Sequence, residues 1–171
     1  MKDILKYGIL FLLIVGLLCG CGAKSETEVA DANGDDRLTC TLEVRCDNLL
    51  DNLDGLVKEK VSLVPENGIL LAQMEVEFTG GESVFDVFRR VLRQEKIHFE
   101  YVDASAYDSV YIEGIGNIYE YDCGPQSGWM YSVNGVHPGL GASAYTLADG
   151  DAIVFQYTCN LGNDLGAGYE K

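Results

Sequence analysis

From Thr39 to Cys46 apolar and polar residues alternate, with Cys40, Leu42, Val44 and Cys46 on one face and Thr39, Thr41, Glu43 and Arg45 on the other. A period of two predicts a half-buried strand. Leu49, Leu50, Leu53, Leu56 and Val57 then recur at helical spacing and predict a short helix, which Gly55 weakens. Pro65 to Gly68 reads as a turn, and Met74, Val76 and Phe78 alternate with Glu75 and Glu77 in a second strand ending at Gly80-Gly81. The clearest helix starts there. Ser83 can cap its first turn and Asp86 can reach back to it, while Val84, Val87, Phe88, Val91 and Leu92 form one apolar face.

Beyond this helix the pattern predicts only strands and turns. His98 to Val102, Tyr107 to Gly114 and Ile118 to Tyr121 are rich in aromatic and branched residues, and Gly116-Asn117 suits a hairpin turn. Trp129 to Val133 forms the next strand, closed by Asn134-Gly135. A Gly-rich loop leads to Tyr145-Thr146-Leu147 and to Asp149-Gly150. In the last strand Ile153, Phe155 and Tyr157 alternate with Val154 and Gln156, and the tail from Leu161 is expected to be loose. The order predicts an α+β fold, a mixed sheet packed against one main helix over about residues 82–96.

The N-terminus is of another kind. Lys2 and Lys6 precede a charge-free stretch from Tyr7 to Ala23, whose apolar centre has the length of an export signal. Leu18-Cys19-Gly20-Cys21 is similar to the lipobox of bacterial lipoproteins. That resemblance implies removal of residues 1–20, acylation of Cys21 and an extracytoplasmic protein held by lipid to a bacterial cell membrane. An uncleaved anchor helix is the competing reading, and it also places the domain outside the cytoplasm. Residues 21–37, small, polar and acidic, read as a flexible tether, leaving 38–171 as the folded domain.

Charge removes one class of function. The 171 residues carry 12 Lys and Arg against 27 Asp and Glu, a net charge of -15. Phosphate backbones would be repelled, so no nucleic-acid partner is expected. Arg89, Arg90, Arg93 and Lys96 cluster on the helix, but four cations on a solvated face of so acidic a chain do not make a binding patch. The hydrophobic fraction of 47% is enough for a packed core.

With Cys19 in the signal and Cys21 committed to lipid, Cys40, Cys46, Cys123 and Cys159 remain as disulfide candidates. Cys40 and Cys46 in one strand would lie roughly 20 Å apart, too far to bridge. Cross-pairing of these two with Cys123 and Cys159 is therefore the expected connectivity. No C-x-x-C pair supports a metal site.

Ser127 to Tyr157 is the distinctive stretch. Gly128-Trp129-x-Tyr131, Asn134-Gly135, the loop Gly139 to Gly141, Tyr145 and Asp149-Gly150-Asp151 resemble the transcobalamin-like C-terminal domain family, as does the helix start Gly81-x-Ser83-Val84-x-Asp86-Val87. The resemblance covers about residues 39–160 and implies a β-grasp-like fold. In the animal vitamin B12 carriers of this family the domain closes over the corrin from one face, and a large helical domain supplies the other. Residues 38–171 leave no room for that helical partner.

Enzyme chemistry has little to rest on. His98 and His137 are the only histidines, and no nucleophile elbow, zinc helix or P-loop occurs. No catalytic residue, cofactor or metal is assigned, and a non-enzymatic binding module is expected. Trp129, Tyr131, Gly139, Leu140, Gly141 and Tyr145 are the candidate ligand-binding residues: aromatic faces supply contact area and glycines allow close approach to a flat ligand such as a cobalamin-like compound. The competing reading makes Trp129 and Tyr145 core residues and the glycines turn formers. A second function is open, a cell-surface protein-interaction module using a tyrosine-rich sheet that includes Tyr107, Tyr111, Tyr119 and Tyr121.

Overall fold

A computed structural model describes residues 37–104 and 109–167. The export signal, Cys21, nearly all of the tether and Tyr107 lie outside the described residues. Among the described residues no helix is long and apolar enough to cross a membrane.

Among the described residues the fold is α+β, with seven strands and one main helix. The strands are β1 (Leu38–Arg45), β2 (Ile69–Phe78), β3 (Phe99–Ala104), β4 (Ser109–Ile115), β5 (Ile118–Tyr119), β6 (Gly128–Val133) and β7 (Ala152–Thr158), and the helix is α1 (Val84–Gln94). Four strands form one sheet in the order β2-β1-β7-β6. Its central pair, β1 and β7, is parallel, and each of the two is flanked by an antiparallel neighbour. This mixed sheet with a helix across it is the arrangement expected from the pattern. What the pattern does not separate is a second, antiparallel sheet, β3-β4-β5. Its tight β4–β5 hairpin turns at Gly116 and Asn117, both at positive φ. Tyr119 lies against Gly114, where a Cβ would collide with the ring, so the missing side chain lets the hairpin close.

Alternation decides the core. Cys40, Leu42 and Val44 on β1, Cys46 just after it, and Ile153, Phe155 and Tyr157 on β7 are buried, as the period of two predicts. Helix α1 covers this face with Val84, Val87, Phe88, Val91 and Leu92. Phe88 meets Phe155 of the first sheet at 4.3 Å and Phe99 of the second at 5.2 Å between ring centroids, so one side chain joins helix and both sheets. The helix start is the capping box read from the sequence: Ser83 Oγ accepts from the Asp86 N–H at 3.2 Å, and Asp86 Oδ2 accepts from the Ser83 N–H at 3.1 Å.

Two segments differ from expectation. The helix foreseen over Leu49 to Val57 is instead a run of short 3-10 turns, Asp47–Leu49, Leu53–Gly55 and Lys58–Leu63, none with a side-chain cap. Only Leu49 and Leu56 of its apolar set are fully buried. Asn and Asp compete for local backbone groups here and Gly55 adds chain entropy, so the helix does not propagate. The tail, foreseen as loose, folds back as far as residue 167. Asp164 accepts from the Thr158 hydroxyl, from the Cys159 N–H at 2.7 Å and from Asn48 Nδ2 at 3.0 Å.

Candidate functional site

Strand β6 is the edge of its sheet, and β4 of the second sheet lies opposite it. Between them runs a cleft of about 430 Å³. β4 contributes Val110, Tyr111 and Ile112, while β6 contributes Gly128 to Tyr131. The turn 121–127 adds Tyr121, Pro125 and Gln126, the loop after β6 adds His137, Pro138, Leu140 and Gly141, and the chain after β7 adds Leu161. No lining residue is Asp, Glu, Lys or Arg, in a chain of which 23% is charged.

The loop is held from three directions. Tyr131 donates its hydroxyl to the Leu140 carbonyl at 2.7 Å, and His137 Nδ1 donates to the Tyr131 carbonyl at 2.9 Å. On the β4 side Ser143 Oγ accepts from the Val110 N–H at 3.0 Å. On the helix side the Ala142 and Tyr145 carbonyls each accept at 3.0 Å from Phe85 and Val84 N–H groups, two of the donors that a helix start leaves unsatisfied. Gly141 is needed for steric reasons, because a Cβ there would occupy the space of the Ser109 side chain.

The turn Asp149-Gly150-Asp151 is structural. Asp149 Oδ1 accepts from the Thr39 N–H at 2.8 Å, and the Gly150 N–H, at φ +80°, donates to the Thr39 carbonyl at 2.7 Å. Asp151 is buried and accepts from Asn134 Nδ2 at 2.8 Å and the Ala148 N–H at 2.9 Å. The motif thus ties the start of β1 to the β6 hairpin, whose turn residues Asn134 and Gly135 are both at positive φ.

Of the six candidate binding residues, Trp129, Tyr131, Leu140 and Gly141 line the cleft, whereas Gly139 and Tyr145 do not. Trp129 is also a core residue. It is only 7% exposed, packs edge-on against Tyr157 at 5.2 Å and donates its indole N–H to the Ile118 carbonyl at 2.8 Å. It forms the floor, and Leu140, 56% exposed, stands at the mouth. Burial, with Tyr145 nearby, pushes the Tyr131 phenol up to about 12, so it remains a hydrogen-bond donor at neutral pH. Sequence reasoning gave Tyr111 and Tyr121 to a protein-interaction sheet and did not single out Leu161, because the opposite wall of the cleft is assembled by contacts distant along the chain. The Tyr111 hydroxyl donates to Glu120 Oε2 at 2.5 Å, and burial followed by this bond raises its pKa.

The four cysteines are free in the structure, which shows neither of the expected cross-pairs as a bond. Cys40 and Cys46 are buried, and Cys40 Sγ is 3.7 Å from the Val76 carbonyl oxygen. Burial raises both thiols, Cys40 to about 11 and Cys46 to about 12. Burial, and then Cys123, raise the Cys159 thiol to about 12, and Cys123 Sγ lies 3.5 Å from the Asn52 carbonyl oxygen.

No curated protein matches the chain. Residues 81–159 match the family model described as a domain of unknown function, DUF4430. Among solved structures the chain is similar to haptocorrin in complex with Cbi, at 15% identity and a TM-score of 0.51, covering 72% of this chain and 25% of that one. The chain therefore corresponds to about a quarter of haptocorrin's length. It is also similar, at 16% identity and a TM-score of 0.41, to a protein from Ruminococcus gnavus ATCC 29149 provisionally assigned to metal binding, with 71% and 96% of the two chains covered. Residues 81–159 thus match the DUF4430 family model, and the chain shares its fold with part of haptocorrin.

Proposed function

We propose that this domain is a non-catalytic binding module that takes one face of a flat, largely uncharged ligand of the corrinoid type into the cleft between β4 and β6. The uncharged lining carries the proposal. In a protein with 27 acidic residues, a concave surface without a formal charge favours burial of apolar ligand area over ionic capture. Tyr111, Tyr121 and Tyr131 supply ring area, and tyrosine hydroxyls provide a few polar contacts. The structural likeness to haptocorrin, solved in complex with Cbi, supports a corrinoid as the ligand class. The lipobox-like segment around Cys21 supports placing the module outside the cytoplasm on a membrane.

Full-length protein in detergent, incubated with cobinamide and gel-filtered, tests the reading. Corrin absorbance should co-elute with the protein at about one equivalent. Absence of corrin from the protein peak counts against it, and a stoichiometric protein partner recovered from native membranes would favour the interaction-module alternative.

A further inference from the structure

The rim of the cleft is formed by two segments that meet at a pair of thiols. The β6–β7 register ends with Gly128 opposite Thr158, so Cys159, the next residue along, emerges beside the turn 121–127 that contains Cys123. Further contacts lock this juxtaposition. The Leu161 N–H donates to the Gln126 carbonyl at 2.8 Å, and Ser127 Oγ accepts both the Tyr157 hydroxyl at 2.9 Å and the Cys123 N–H at 3.1 Å. Both cysteines are half-buried against the core; Cys123 Sγ lies 3.5 Å from the Asn52 carbonyl oxygen, and Cys123 is one of the groups that raise the Cys159 thiol. Among the described residues no group of three His, Cys, Asp or Glu side chains could hold a metal, so the pair does not belong to a metal set.

We propose that Cys123 and Cys159 are a redox clasp, whose disulfide joins the turn 121–127 to the end of β7 and fixes the width of the ligand cleft. Tyr121 and Gln126 line the cleft from one side of the clasp, and Thr158 and Leu161 from the other. In the reduced state only non-covalent contacts hold these segments together, whereas the disulfide limits their separation. The oxidant is a disulfide, low-molecular-weight or protein-borne. The Cys123 thiolate attacks one sulfur of the oxidant and releases one thiolate. Cys159 then gives its proton to solvent and attacks the Cys123 sulfur of the mixed disulfide, releasing the second. One S–S bond forms in the protein, the oxidant's is reduced to two thiols, and the protein loses two hydrogens. Burial, and then Cys123, raise the Cys159 thiol to about 12, so Cys159 enters as the second nucleophile. Cys40 and Cys46, sealed in the β1 core face, stay as thiols.

Full-length protein in detergent, equilibrated with oxidised or reduced glutathione and then alkylated, tests the clasp. Trypsin leaves Cys123 and Cys159 in one peptide, residues 97–171, which after oxidation should lack two hydrogens and resist alkylation. Cleavage after acidic residues should then recover Cys123 linked to Cys159, while Cys40 and Cys46 alkylate only after denaturation. Oxidation should raise the Tm of the wild type by roughly 10 °C and leave that of Cys123→Ser unchanged. Two free thiols in the presence of oxidised glutathione, or linkage of either cysteine to another residue, would overturn the proposal. The mapping is done without corrinoid and uses the wild type, so its failure is distinguishable from failure of the ligand reading and from misfolding of the variant.

Discussion

Tyr131 holds Leu140 by a hydrogen bond from phenol to backbone carbonyl at 2.7 Å, while its own carbonyl is held by His137 at 2.9 Å. One residue on an edge strand thus anchors both ends of the loop at the mouth of the cleft, Leu140 through its side chain and His137 through its backbone. Tyr131→Phe removes the first bond and keeps the ring stack on Phe155. It should cost about 1 kcal/mol, and amide exchange should accelerate across residues 137–141, with the β1–β7 core unchanged. Hydrogen exchange read by mass spectrometry checks this.

Gly141 packs against Ser109 with no room for a Cβ. Gly141→Ala should destabilise the domain by about 1–3 kcal/mol through overpacking. Ser109→Gly in the same chain should recover much of that loss by clearing the obstruction. Urea denaturation of the single and double variants measures the coupling. Simple additivity of the two losses would show that the two positions do not share the space.

The Asp151 carboxylate is buried and bonded to Asn134 and Ala148. Asp151→Ala strands both donors and should cost about 2 kcal/mol or more, whereas Asp149→Ala, at an exposed turn position, should cost less. Paired thermal melts rank them. Equal losses, or a binding defect without a stability defect in Asp151→Ala, would contradict the structural role given to this turn.

Asp86 is held below the ordinary carboxyl value of 3.8, first by the Ser83 hydroxyl and then by the Ser83 N–H. A lowered folded-state pKa means its contribution is present above about that value and is lost as pH falls through the folded-state pKa. Asp86→Asn should therefore be less stable than the wild type at pH 6, with the gap closing in acid. Ser83→Ala should lose about 1 kcal/mol at neutral pH. Denaturation midpoints between pH 2 and pH 6 follow both variants.

Local chemistry was legible in the sequence. Ser83 and Asp86 mark the helix start three residues apart, and Gly116-Asn117 and Asn134-Gly135 mark turns that adopt positive φ at both positions. Alternation on β1 and β7 identifies the inward face of the sheet. What escaped depends on distant partners. The Leu49 to Val57 spacing suits a helix, yet 3-10 turns form there and the Val57 N–H is taken by the Asp122 carbonyl at 2.9 Å. Tyr111 carries no signal as a cleft residue until the second sheet sets β4 opposite β6. Strand spacing argues against a Cys40–Cys46 bridge, but the meeting of Cys123 with Cys159 follows from the β6–β7 register, which spacing alone does not reveal.

The central claim is that the uncharged cleft binds a corrinoid-type ligand. The most direct test is a calorimetric titration of cobinamide into the wild type and Leu140→Asp side by side. Leu140 is 56% exposed at the cleft mouth, so the substitution should leave the fold intact while placing a charge where the ligand's apolar face would lie. The expected result is saturable binding near one equivalent in the wild type and affinity weakened about tenfold or more, about 1.4 kcal/mol, in a variant of unchanged Tm. No saturable heat in the wild type, or equal affinity in the two proteins, would contradict the account.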